Sequence, residues 1–185
     1  MIKLIIFDLD GVLVEAKDIH YKALNKALGE TYAISWNEHL SIYDGLKTNQ
    51  KLDMLSNNKG LPISDHKQIW NNKQKYTLKF LSELKPSKQL QSTMSKLVED
   101  GYKIAVCSNS IRKTVLTVLS KLGIMEYMDL IVSNEDVKNS KPHPEMYWKA
   151  ISKMKCLPEE TLIVEDSPYG LLAAARSKSH ILRVK

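Results

Sequence analysis

Cysteine is almost missing from this chain: Cys107 and Cys156 are the two in 185 residues, far apart, with no CxxC spacing and no companion histidine cluster. A disulfide framework and a cysteine-rich metal site are therefore not expected, and both thiols read as buried apolar groups. Glycine and proline are sparse, at seven and six, and no Pro/Gly/Ser linker, repeat or low-complexity tract occurs. Any domain boundary must then be found from a change of hydrophobic pattern. No apolar run approaches the roughly 20 residues that span a bilayer. A signal peptide is not expected either, because Asp8 follows soon after the first apolar positions and no small-residue cleavage site comes next, so a cytoplasmic location is expected. Lysine and arginine exceed acid by six, yet they form no basic block or tail. That scattered excess suits a small phosphorylated metabolite, and neither nucleic acid nor membrane is an expected partner.

What the chain does have is ordinary globular composition, 43% hydrophobic and 26% charged, enough for one substantial core or a core with an inserted module. Leu4-Ile5-Ile6-Phe7 reads as a buried strand, and Asp8-Leu9-Asp10-Gly11 follows directly. On extended backbone, Asp8 and Asp10 point the same way, and Gly11 allows a turn with close approach of its amide. An acidic turn with no chemistry would fit these four residues equally well.

From Ala16 to Lys85 the pattern is helical. Ile19, Ala23, Leu24, Ala27 and Leu28 form one stripe, Leu46–Leu55 a second, and Ser64–Leu84 a third, ending before Pro86. From Ser87 onward short apolar strands alternate with helices: strands at 103–107, 130–132, 162–164 and 181–184, helices at 90–99, 112–122, 145–154 and 170–177. This predicts an α/β fold, a doubly wound Rossmann-like parallel sheet over residues 1–15 and 86–185 with an inserted α-helical cap over 16–85. The strands end in Ser108-Asn109-Ser110, Glu165-Asp166 and, shortly after the third, Lys141-Pro142. A parallel sheet brings such ends to one crevice with Asp8 and Asp10.

Taken singly, each has a plain structural reading: Ser108 as a turn or cap residue, Lys141 as a loop lysine, Glu165-Asp166 as acids at a helix N-terminus. Together, in order, Asp8-Leu9-Asp10-Gly11-Val12-Leu13-Val14, Val106-Cys107-Ser108-Asn109, Lys141-Pro142-His143-Pro144-Glu145 and Val164-Glu165-Asp166-Ser167 resemble the four motifs of the haloacid dehalogenase-like superfamily. Within it the chain looks most like the helical-cap branch of β-phosphoglucomutase and small-molecule phosphatases. The resemblance implies a Mg²⁺-dependent phosphatase for a sugar or polyol phosphate, with Asp8 as nucleophile forming an aspartyl phosphate and Asp10 as acid and base. It implies Asp8, Asp166, the Asp10 main-chain carbonyl and, less directly, Glu165 around the metal. Lys141 would neutralise phosphate charge, while Ser108, the Asn109 amide and amides near Gly11 would hold phosphoryl oxygens. A β-phosphoglucomutase-like isomerase and a non-catalytic binder of a phospholigand or partner protein are the alternatives.

The resemblance also places His20, Lys47 and Thr48 in the cap at substrate-facing positions, with Arg112 a candidate anion contact after the second motif. Lys73 and Lys75 read rather as a solvated helix face. Glu15 stands where relatives usually carry Asp. The resemblance further implies one more strand and helix than are found before Lys185, so a barer sheet edge and self-association are left open.

Overall fold

The computed structural model describes residues 1–184 and divides into two compact units, one of residues 1–15 with 84 onward and one of Ala16–Glu83. Strand β1 (Leu4–Phe7) opens the first unit; all four residues are buried, as a strand covered on both faces requires.

The second unit is all helix: α1 (Lys17–Leu28), α2 (Trp36–Glu38), a π-helical turn (His39–Tyr43), α3 (Thr48–Lys59) and α4 (His66–Leu81). Its core gathers Leu24, Leu28, Ile34, Tyr43, Leu52, Leu55, Leu61 and Ile69. The side chain of Ser35 caps α2 by accepting from Glu38 N, and Glu38 returns a bond to Ser35 N at 2.6 Å. The three expected stripes are present, but 36–43 winds as a short helix and a π turn that no hydrophobic period announces. Helix α4 stops at Leu81, three residues before the expected end.

The first unit continues with α5 (Lys88–Glu99), β2 (Lys103–Cys107), α6 (Arg112–Leu122), β3 (Leu130–Val132), α7 (Glu145–Lys153), β4 (Thr161–Glu165), α8 (Pro168–Ser177) and β5 (His180–Arg183). The strands form one parallel sheet in the order β3-β2-β1-β4-β5. This is the doubly wound Rossmann-like α/β arrangement. Successive strand residues face opposite ways. Leu4, Ile6, Ala105, Cys107 and Ile163 accordingly meet Met146, Tyr147, Ala150 and Ile151 of α7 and Ala173 and Ala174 of α8 in one core. With β1 central and flanked by β2 and β4, the carboxyl ends of these three strands lie side by side. Strand β5 is an edge, exposed along its whole length. Among the described residues no helix is long and apolar enough to cross a membrane.

Candidate active site

Asp8 follows β1 and is still held by the sheet, its N–H donating to Val164 O at 2.9 Å. The chain then turns: Leu9 O accepts from both Leu13 N and Val14 N, and Gly11 N donates to Val14 O at 2.7 Å. Gly11 has φ +94°, and a Cβ there would stand 2.1 Å from Asp166 Oδ2. The turn and the close approach of Asp166 both require glycine.

Lys141 crosses between the strand ends. Its Nζ donates to Asp8 Oδ1 at 2.6 Å and to Glu165 Oε2 at 2.7 Å, with all three residues buried. Burial would lower the ammonium, but the charges of Asp8 and Glu165 override it and hold Lys141 well above its ordinary value. The two carboxylates differ. Burial would raise Glu165, yet the Lys141 charge together with donors from Ser167 and Tyr147 holds it below the usual carboxylate range. Burial first, then the charge of Glu165, pushes Asp8 well above that range against the pull of Lys141. One ammonium thus serves two carboxylates, and Asp8 is the one short of positive charge.

Asp8, Glu165 and Asp166 each offer an oxygen within 4.8 Å of the others. Asp10 adds its negative charge to that felt by Asp8. An all-oxygen, carboxylate-rich set suits a hard divalent cation such as Mg²⁺, which takes one or two carboxylates and retains water. A cation there would supply the charge Asp8 lacks, so the residues fit the group.

The family follows from the whole chain. Residues 5–184 match the model of the haloacid dehalogenase-like hydrolases. The chain belongs to this family. It is 27% identical over 177 residues to a phosphorylated carbohydrates phosphatase of Thermotoga maritima, covering 92% of this chain and 79% of that protein. It is 25% identical over 173 residues to the pyrophosphatase PpaX of Anoxybacillus flavithermus, covering 93% and 78%. The crystal structure of β-phosphoglucomutase from Clostridium difficile superposes with a TM-score of 0.87 at 26% identity, over 100% of this chain and 85% of that one.

Around the cluster, this haloacid dehalogenase-like hydrolase uses several candidate residues for positioning. The Asn109 side chain clamps the Lys141 main chain, Nδ2 donating to Lys141 O at 3.2 Å and Oδ1 accepting from Lys141 N at 3.1 Å. Ser108 is buried and its Oγ accepts from Ser110 N at 3.0 Å. Ser110 Oγ donates to Asp10 Oδ2 at 3.1 Å, a contact not foreseen although Ser110 closes the same tripeptide. Tyr147 was also missed: its hydroxyl donates to Glu165 Oε2 at 2.8 Å. The sole signal for it was a polar tip on the apolar stripe of α7.

Arg112 pairs through Nη1 with Asp136 Oδ2 at 3.2 Å, and its N–H donates to Glu135 Oε2. In the helical unit, Thr48 is buried and accepts from Gln74 Nε2 at 3.3 Å. Lys47 N-caps α3, where its N–H donates to Gln50 Oε1. Half-buried His20 meets Lys73, with Nδ1 3.2 Å from Nζ. Lys73 is not on a solvated face: it is 7% exposed, whereas Lys75 is exposed as expected. A helical period cannot tell a buried ammonium from a solvated one.

Proposed function

We propose that the protein is a Mg²⁺-dependent phosphatase acting on a small phosphorylated metabolite, a sugar or polyol phosphate, through an aspartyl phosphate. The observation that carries this reading is Asp8: a buried carboxylate fixed at 2.6 Å by Lys141, with two further carboxylates within 4.8 Å. Asp8, Asp166 and the Asp10 carbonyl would hold the metal, with Glu165 beside them. The metal supplies positive charge that lets an anionic carboxylate approach an anionic phosphate.

Asp8 attacks phosphorus as the bond to the leaving oxygen breaks, and Asp10 gives that oxygen its proton. Asp10 then takes a proton from water, which attacks phosphorus, breaks the bond to Asp8 and releases inorganic phosphate. Ser110 orients Asp10 for both transfers. Lys141 stabilises charge on the phosphoryl group, and Ser108 with the main-chain N–H of Asn109 binds its oxygens. The helical unit, residues 16–83, supplies substrate choice through His20, Lys47, Thr48 and Lys73. The Thermotoga relative, named for phosphorylated carbohydrates, supports that substrate class.

Turnover of a panel of sugar phosphates, nucleotides and pyrophosphate, with Mg²⁺ or chelator, tests the reading. Phosphate release that needs metal and disappears in Asp8→Asn is expected; release unaffected by that substitution removes Asp8 as nucleophile. The likeness to β-phosphoglucomutase favours a second reading, an isomerase that returns the phosphoryl group to a sugar. Its mark would be phosphorylated enzyme persisting under a sugar bisphosphate.

A further inference from the structure

Tyr147 lies on α7 between Met146 and Ala150, fully buried in the core beneath the sheet. Phenylalanine would fill that space, so packing does not ask for the hydroxyl, and a buried hydroxyl is costly unless it bonds. It donates to Glu165 Oε2 at 2.8 Å, the oxygen that also accepts from Lys141 Nζ at 2.7 Å. The Tyr147 ring meanwhile sits beside that ammonium, 5.0 Å from Nζ to centroid. One phenol therefore touches both members of the Lys141–Glu165 pair.

The rest of the Glu165 carboxylate is fixed as tightly. Oε1 accepts from Asp166 N, Ser167 N and Ser167 Oγ, each at 3.0 Å. Gly170 backs it on α8, where a Cβ would stand 1.8 Å from Oε2. Glu165 cannot swing aside, so the strength of its hold on Lys141 depends on what else donates to Oε2. With the phenol gone, the full charge of Oε2 falls to Lys141, drawing Nζ from Asp8 Oδ1.

We infer that Tyr147 is a positioning residue of the catalytic centre, its hydroxyl dividing Lys141 between Glu165 and Asp8 and thereby setting the attacking carboxylate. The inference rests on the phosphatase reading for its effect on turnover, and on geometry alone for its effect on Lys141.

Tyr147→Phe tests it, with ¹⁵N-lysine labelling to follow the Nζ signal of Lys141, assigned by its loss in Lys141→Met. The expected result is a shifted, faster-exchanging Lys141 signal and a kcat about tenfold lower with KM within twofold, in protein that melts within a few degrees of wild type. In a Glu165→Gln background the same change should cost less than twofold, because the route through Glu165 is already cut. An unchanged Lys141 signal, a kcat within twofold of wild type, or an undiminished tenfold loss in the Glu165→Gln background would each overturn the inference. Should wild type hydrolyse nothing on the panel, the phosphatase reading falls, and the Lys141 signal by itself decides the role of Tyr147.

Discussion

Lys141 binds two buried carboxylates with one charge, which makes it the most exposed point of failure in the cluster. Removing one partner of a buried pair costs about 3–5 kcal/mol because the other charge is left unpaired in a low dielectric. Lys141→Met should therefore lower the urea midpoint clearly and reduce kcat by roughly a thousandfold through lost charge stabilisation. A variant with an unchanged midpoint would mean that Asp8 and Glu165 do not depend on the ammonium. The polar residues at strand ends were legible because each interrupts an apolar run. Tyr147 and Gly170 were not. The period of a helix treats tyrosine as phenylalanine, and nothing local reveals that Gly170 makes room for a carboxylate five residues earlier.

At the scale of elements, the strands of the sheet could be read from their apolar runs, whereas the π turn could not, since 39–43 carries no period. His39 sits in that turn with no exposed surface, stacked at 5.4 Å on Trp36 and tilted at 5.5 Å against Tyr21. Burial first, then the charge of Lys51, with His20 adding to it and Asp44 opposing, pushes the imidazole down to about 4 from 6.5. Between those values the unfolded chain binds the proton and the folded one does not, so stability falls as pH drops from about 6.5 to about 4. The loss is on the order of 3 kcal/mol over that range, and His39→Leu should flatten the curve. Denaturant midpoints of both proteins from pH 7 to pH 4 decide this; identical slopes would place the sensitivity elsewhere.

For the molecule as a whole, a metal that binds the folded cluster and not the unfolded chain stabilises by mass action, about 2.7 kcal/mol at a hundredfold excess over Kd. In a chain of this length that corresponds to a rise in Tm of roughly 5–10 °C. Calorimetric scans with Mg²⁺ and with chelator should show the rise in wild type and lose it in Asp166→Asn. A rise that survives Asp166→Asn would put the cation somewhere other than beside Asp166.

Strand order carries a consequence for synthesis. Strand β1 is made before its neighbours, yet it lies between β2 and β4, and Lys141 is 133 residues from Asp8. At ribosomal rates of about 5–20 residues per second, roughly ten to thirty seconds separate the emergence of β1 from that of β4. Throughout that time Leu4-Ile5-Ile6-Phe7 is a short apolar strand lacking at least one of its two sheet partners, the kind of segment that seeks pairing with other chains. The α1–α4 segment has no such wait, because its partners come from within one stretch of 68 residues. The placement that gives Asp8 a neighbour on each side in the finished protein leaves its strand the longest unshielded while the chain is growing.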